Sequence, residues 1–249
     1  MQPLAQAADL QQIKLVATDM DGTITHRGKF TAELVATLAK LAEQGIPVLI
    51  VTGRSAGWVQ GIMNYLPVAG AIAENGGIFY NPGTSQWLIK IKHPQDHRRN
   101  LAAIYQQIKH LYPNLQESSD NLFRLTDWTF DIQGVSTEQI SQINQICQQQ
   151  GFSFTYSTIQ GHIKLPNQDK AMAVIAVIKE HFPRLDLDQV ITVGDSPNDE
   201  PMFNPAYFSK SLGVANLKHY QNHLRYLPKY ISQGEEVSGF KELADLICR

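Results

Sequence analysis

Two carboxylates one residue apart, Asp19 and Asp21 in Asp19-Met20-Asp21-Gly22-Thr23, stand directly after the apolar run 13–18. A run of that length, bounded by turn-forming residues, predicts a buried strand of a parallel sheet and is too short for an independent helix. The pair therefore emerges at the carboxyl end of a strand, where open α/β sheets place their ligands. Both acids cannot stay ionised side by side unless a cation neutralises them or one holds a proton. Either state is chemically useful: Asp19 as a nucleophile with a magnesium ion beside it, Asp21 as a proton carrier. Gly22 supplies the permissive backbone for a sharp exit from the strand.

The elements around this pair bring further polar groups to the same edge. Thr31 predicts an N-cap, and Leu34, Val35, Leu38, Leu41 and Ala42 recur at helical spacing until Gly45. The apolar stretch 46–51, with Pro47 tolerable near its start, is a second buried strand delivering Thr52-Gly53-Arg54. A helix over 55–65 and a strand over 71–73 follow, the strand running into Glu74-Asn75-Gly76-Gly77. Lys170 opens a helix over 171–182 that is apolar on nearly every side. A strand over 190–193 ends in Gly194-Asp195-Ser196-Pro197-Asn198-Asp199, and 212–215, 217–226 and 239–247 give one more strand and two helices. Repeated strand–helix alternation is the signature of a parallel α/β sheet.

Between these halves the rhythm changes near Tyr80. Strands are expected over 87–91, 122–126 and 129–133, with a helix carrying Leu101, Ile104, Tyr105, Ile108 and Leu111 before Pro113. Ser136 and Gln139 form a capping box for a helix with Ile140, Ile143 and Ile146 that Gly151 ends. Phe152, Phe154 and Tyr156 alternate as in a half-buried strand, and Ile163 and Leu165 finish the region. The expected architecture is an α/β, Rossmann-like three-layer core with a parallel sheet, built from 1–81 and 164–249. An α+β cap domain over 82–163 is inserted into it, and the chain crosses between the two at 80–83 and 165–169.

Bulk properties exclude several alternatives. At 249 residues, 43% hydrophobic and 18% charged, the chain has material for a sizeable core in one large or two smaller domains. A net charge of −2 gives no electrostatic case for nucleic acid or an anionic membrane. Cys147 and Cys248 are far apart and read as reduced, structural thiols. The eight histidines show no zinc-ligand spacing. Without a signal-like start or a bilayer-length apolar run, the expectation is a soluble, cytoplasmic protein.

The order and strand context of Asp19–Thr23, Thr52–Arg54, Lys170 and Gly194–Asp199 resemble the haloacid dehalogenase superfamily phosphatases, of the kind with a large α/β cap (Cof-type, sugar-phosphatase-like, subfamily IIB). Glu74-Asn75-Gly76-Gly77 is similar to the sugar-phosphatase branch, and only the first dozen residues lie outside the resemblance. It implies that Asp19 is the nucleophile of an aspartyl-phosphate mechanism. Asp21 would protonate the leaving oxygen and then activate water, Thr52 would donate to a phosphoryl oxygen, and Lys170 would stabilise the transition state. Asp19, Asp21 (through its backbone carbonyl) and Asp195 would hold Mg2+, with Asn198 or Asp199 directly or through water. Gly22, Gly53, Arg54 and Asn75 would flank the substrate, although Arg54 reads first as a loop anchor that works by hydrogen bonding and does not touch substrate. The family often has glycine after the motif lysine, where this chain has Ala171.

The implied activity is magnesium-dependent hydrolysis of a small phosphorylated metabolite by a monomer or homodimer, with a sugar or polyol phosphate first, and phosphoglycolate, nucleotide monophosphates and flavin or pyridoxal phosphates behind it. Arg124, Trp128 and His162 are candidates to face the substrate from the cap, against a reading of Trp128 as cap core and the other two as surface. Two rivals share the same fold. A phosphohexomutase would need cap cations such as Arg98, Arg99 and Arg124 on a second phosphate; a non-enzymatic phosphate sensor would not need Asp19, Asp21 and Lys170 together.

Overall fold

The computed structural model describes residues 1–157 and 159–249. Among the described residues twelve strands form two sheets, accompanied by six α-helices. In chain order they are β1 Gln2–Pro3, β2 Leu15–Thr18, α1 Ala32–Glu43, β3 Val48–Val51, α2 Ala56–Ile62, β4 Gly70–Ala73, β5 Ile78–Asn81 and β6 Thr84–Trp87. There follow α3 Pro94–Leu111, β7 Trp128–Asp131, α4 Thr137–Gln149, β8 Ser153–Tyr156 and β9 Gln160–Lys164. The chain ends with α5 Lys170–His181, β10 Val190–Gly194, β11 Ser211–Gly213, β12 Tyr230–Ile231 and α6 Glu236–Ile247. The large sheet has nine strands in the order β1-β12-β11-β10-β2-β3-β4-β5-β6, parallel from β1 to β4 and antiparallel beyond.

Both faces of this sheet are covered, as the unbroken apolar runs require. On β2, Val16 joins α1 and α6 through Leu34, Leu38, Phe240 and Leu243, whereas Leu15 and Ala17 join α5 through Val174 and Val177. Thr31 caps α1 by accepting from the Leu34 N–H at 3.1 Å. The first dozen residues contribute more than expected: β1 extends the sheet beside β12, and Leu4 and Leu10 are buried.

The small sheet, β7-β9-β8, is antiparallel and backed by α3 and α4 over a separate cluster that includes Leu101, Tyr105, Phe130, Ile143 and Ile163. The expected capping box of α4 is present, with Ser136 and Gln139 serving each other. Three expectations need correction. The strand placed at 87–91 lies earlier, as β6 at Thr84–Trp87, and 88–91 is not strand; the hairpin of β6 with β5 keeps 82–87 in the large sheet, so the chain leaves that sheet after Trp87 and not at 80–83. The stretch 122–126 is no strand: Ser119–Phe123 is a 3₁₀ turn, and Arg124, Leu125 and Thr126 are drawn toward the large unit by hydrogen bonds. The helix expected over 217–226 is two short 3₁₀ segments.

Candidate active site

Register alone assembles the centre of the site. Thr18 lies beside Val193 on one side and Ile50 on the other, and Val51 beside Ile72. Asp19, Asp195, Thr52 and Glu74 thus leave four adjacent strands at one edge of the sheet. Lys170 arrives from across the chain as the first residue of α5, a start fixed by Asp169, whose carboxylate accepts from the Met172 N–H at 2.9 Å. Ala171, where the family often has glycine, is fully buried against the sheet, so its methyl is core packing.

Lys170 Nζ lies 2.5 Å from Asp19 Oδ1 and 2.6 Å from Asp199 Oδ1, with all three residues buried. Asp19, Asp195 and Asp199 gather carboxylate oxygens within 4.8 Å of one another. Thr23 donates between two of them, 3.0 Å from Asp195 Oδ1 and 3.4 Å from Asp19 Oδ2. One ammonium facing three buried acids leaves negative charge uncompensated. Burial lifts the Asp19 carboxyl to about 7 against the pull of Lys170, with Asp199 and Asp21 adding to the rise. Burial, then Asp19 and Asp199, raise Asp195 well above the ordinary carboxylate range. Burial opposes the charge on Lys170, but its two acid partners outweigh it and hold the ammonium protonated. An all-oxygen donor set short of positive charge fits a hard divalent cation.

The expected site residues divide by what they touch. Asp199 is an internal brace: its second oxygen accepts from the Asp195 N–H at 2.9 Å and the Ser196 N–H at 3.1 Å. Asn198 accepts from Ser196 Oγ at 2.6 Å and donates to Asn75 Oδ1 at 3.0 Å, linking the last motif to Glu74-Asn75. Asn75 Nδ2 is a buried donor with no partner among the described residues. Asp21 turns its side chain away from the acid cluster onto Arg54, which grips it at 2.6 and 2.8 Å while lying over the Trp58 ring. Gly22, at φ +82°, is required by space: a Cβ there would lie 2.5 Å from Asp195 Oδ2. Its carbonyl and that same Oδ2 both accept from Asn216 Nδ2 at 2.9 Å, a contact from the loop after β11 that no sequence signal marked.

Thr52, Gly53 and Arg54 join Asp19, Asp21, Ser196 and Asn198 around a cavity of about 110 Å³, which Ser157, Ile159, Gln160 and His162 close from the small unit. Arg124 and His162 are buried at this junction, not at the surface, and Trp128 stacks with Tyr105 in the small unit. Arg124 Nη1 donates to the Gly53 carbonyl at 2.9 Å and to Asp127 at 2.9 and 3.1 Å.

A family model described as haloacid dehalogenase-like hydrolase matches residues 16–127 and 86–220, and the chain belongs to that family. A phosphoglycolate phosphatase of Thermoplasma acidophilum is 27% identical over 204 residues, covering 77% of this chain and 81% of its own. A solved Thermoplasma acidophilum structure superposes with a TM-score of 0.76 at 20% identity, covering 94% of this chain and 98% of its own. The sucrose-phosphatase of Synechocystis, solved with sucrose and phosphate, gives 0.68 at 15%, covering 95% and 98%. Family and fold together define the protein as an α/β phosphatase whose small antiparallel sheet stands as a cap over the cluster.

Proposed function

We propose that the protein is a magnesium-dependent phosphomonoester hydrolase acting on a small phosphorylated metabolite, a sugar or polyol phosphate, through an aspartyl-phosphate on Asp19. The observation that carries this is the placement of Lys170 Nζ at 2.5 Å from one oxygen of an Asp19 carboxylate that also lies beside Asp195. Lys170 occupies Oδ1, which leaves Oδ2 to attack phosphorus. As the new P–O bond forms, the ester P–O bond breaks and its electron pair goes to the leaving oxygen, which takes a proton from Asp21. Asp21, now a carboxylate, accepts a proton from water; the oxygen of that water attacks phosphorus and restores Asp19. For the first transfer Asp21 must leave Arg54, to which both its oxygens are bound as acceptors, and take up a proton from solvent. Mg2+ held by Asp19, Asp195 and the Asp21 carbonyl, with Asp199 and Asn198 behind them, would neutralise phosphoryl charge.

The relatives named for phosphoglycolate and the sucrose-phosphatase fold both support a small phosphoester substrate. A cavity of about 110 Å³ is well below the ~300–1,000 Å³ of drug-sized ligand sites, which suits a leaving group of few carbons. The mutase alternative loses its second phosphate site. Arg98 donates to the Asp127 and Asn121 carbonyls, Arg99 pairs with Asp96 at the surface, and Arg124 is committed to Asp120, Asp127 and Gly53. Among the described residues no helix is long and apolar enough to cross a membrane, and both cysteines are free, which supports a reducing, cytoplasmic setting. Phosphate release across a panel of phosphorylated metabolites, with and without magnesium, tests the reading. Release from none of them, or equal release by Asp19→Asn, would refute it.

A further inference from the structure

His162 takes no part in the phosphoryl chemistry, yet it is buried and lines the same cavity as Asp19 and Thr52. Along β9, Ile163 enters the apolar interior of the cap, so the strand's period of two turns His162 to the opposite face, toward the large sheet. Its Nδ1 lies 2.9 Å from Asp127 Oδ2. An ionised carboxylate only accepts, so Nδ1 carries the hydrogen, and the neutral ring keeps a bare lone pair on Nε2. That edge packs over the phosphoryl loop: a Cβ built on Gly53 would lie 3.0 Å from Cε1 and 3.2 Å from Nε2. Arg124 fixes the arrangement from behind by binding both Asp127 oxygens and the Gly53 carbonyl.

Resting on the phosphatase reading above, we propose that His162, oriented by Asp127, is the residue that selects the leaving group, its Nε2 accepting a hydrogen bond from a hydroxyl one or two carbons from the ester oxygen. The charges around the cavity select in the same direction. Arg54 is the one cationic side chain among the described lining residues, and it is held by Asp21 through two nitrogens. Arg124 and Lys170, nearby, are each shared between two carboxylates. At the binding step, before Asp21 leaves Arg54, a carboxylate on the leaving group would meet the His162 lone pair while Arg54 is still held; a hydroxyl donates to that lone pair. Burial lowers the His162 pKa against the pull of Asp127, with Arg124 and Lys170 adding to the fall, so the ring stays neutral near pH 7. Asp127 is then a positioning residue, and His162 the one that touches substrate.

Two esters of equal chain length separate the possibilities: 2-hydroxyethyl phosphate and phosphoglycolate differ in a hydroxymethyl group against a carboxylate. We expect kcat/KM for hydroxyethyl phosphate to exceed that for phosphoglycolate by at least about tenfold, and His162→Ala to collapse the ratio to within about twofold, chiefly through KM. His162→Gln keeps an acceptor oxygen and should retain part of the preference, which covers the case of a poorly folded alanine variant. The same two esters are titrated calorimetrically into Asp19→Asn protein with magnesium, with and without His162→Ala. Hydroxyl-selective binding that requires His162, in a protein that hydrolyses neither ester, would uphold this inference while removing the phosphatase reading. Turnover with phosphoglycolate equal or preferred, or an unchanged ratio in both His162 variants, would overturn the inference and leave the phosphatase reading standing. Neither turnover nor selective binding would overturn both.

Discussion

Glu74 in the large unit and Thr126 in the cap meet in a doubled contact: the Thr126 N–H and its hydroxyl both donate to Glu74 Oε2 at 2.6 Å. The other oxygen, Oε1, accepts from the Ala56 N–H at 2.8 Å, at the start of α2, and from the Leu125 N–H at 3.0 Å. Gln168 adds a bridge from the return linker, 2.6 Å to the Glu74 carbonyl and 2.9 Å to Thr126 Oγ1. Glu74 holds this position at φ +54°, a left-handed conformation that a side-chain-bearing residue keeps only when its surroundings enforce it. The cap is therefore latched by a buried carboxylate whose neighbours are all donors. Burial, then the charge of Asp127, raise its pKa, so a proton on Glu74 would compete directly with those donors.

Glu74→Gln imitates that protonated state and turns an NH2 group toward donor N–H groups. Hydrogen bonds to charged acceptors are worth about 1.5–3 kcal/mol, and a loss of that order is expected in urea unfolding. Hydrogen exchange at 124–126 should accelerate, and KM should rise more than kcat falls. Unchanged protection at those amides would show that the cap is held elsewhere.

Asp19→Asn should abolish turnover, to below about one per cent of the parent rate, because an amide is a poor nucleophile. Lys170→Ala acts differently. It leaves Asp19, Asp195 and Asp199 without their internal cation, and breaking a buried pair in this way costs about 3–5 kcal/mol. The variant should unfold at lower temperature without metal and be stabilised by magnesium more than the parent is. A parent-like melting temperature in the absence of metal would contradict the charge imbalance described for the cluster.

The chemistry of the large sheet was legible because each element states itself locally. An apolar run ending in a polar motif yields β2, β3 and β10, Thr31 announces α1, and Gly22 falls where a Cβ would strike Asp195. The turn at Pro82-Gly83 misled for a physical reason. Turn-forming composition marks a linker and a hairpin alike, and only the pairing of Ile78 with Trp87 decides for the hairpin. The junction was less legible still. Glu74, the 124–127 stretch that carries Arg124 and Asp127, and His162 lie far apart in the chain, and no periodicity connects a carboxylate after β4 to amides before β7.

EDTA should remove activity and magnesium should restore it, since Asp19 and Asp195 cannot jointly approach a phosphate dianion without a cation between them. Calcium should inhibit: its 6–8 ligands at ~2.3–2.6 Å hold a nucleophile less strictly than the octahedral, ~2.0–2.1 Å shell of magnesium. Titration calorimetry gives a readout apart from turnover, and Asp195→Asn should weaken magnesium binding at least about tenfold. Normal turnover by a metal-free preparation would dismiss the requirement.

Asp127 and His162 also tie stability to pH, in two windows. Burial pushes the Asp127 pKa up, but Arg124 and the His162 hydrogen bond outweigh it, leaving the folded value below the ordinary 3.8. Its contribution is full above 3.8 and is lost as the pH falls through the folded value. The folded pKa of His162 is depressed below 6.5, chiefly by burial. Below about 6.5 the unfolded chain therefore takes up a proton that the folded ring refuses, and stability declines with falling pH until the folded pKa is reached. Within that window one proton corresponds to a slope of up to about 1.4 kcal/mol per pH unit. Urea unfolding of the parent and of His162→Gln, compared at pH 7.5 and pH 5, isolates this group from the other seven histidines. The stability advantage of the parent over the variant should shrink on acidification, while Asp127→Asn should narrow the gap only below pH 4. A gap that stayed constant from pH 7.5 to pH 5 would mean that His162 takes up its proton equally in the folded and unfolded chain.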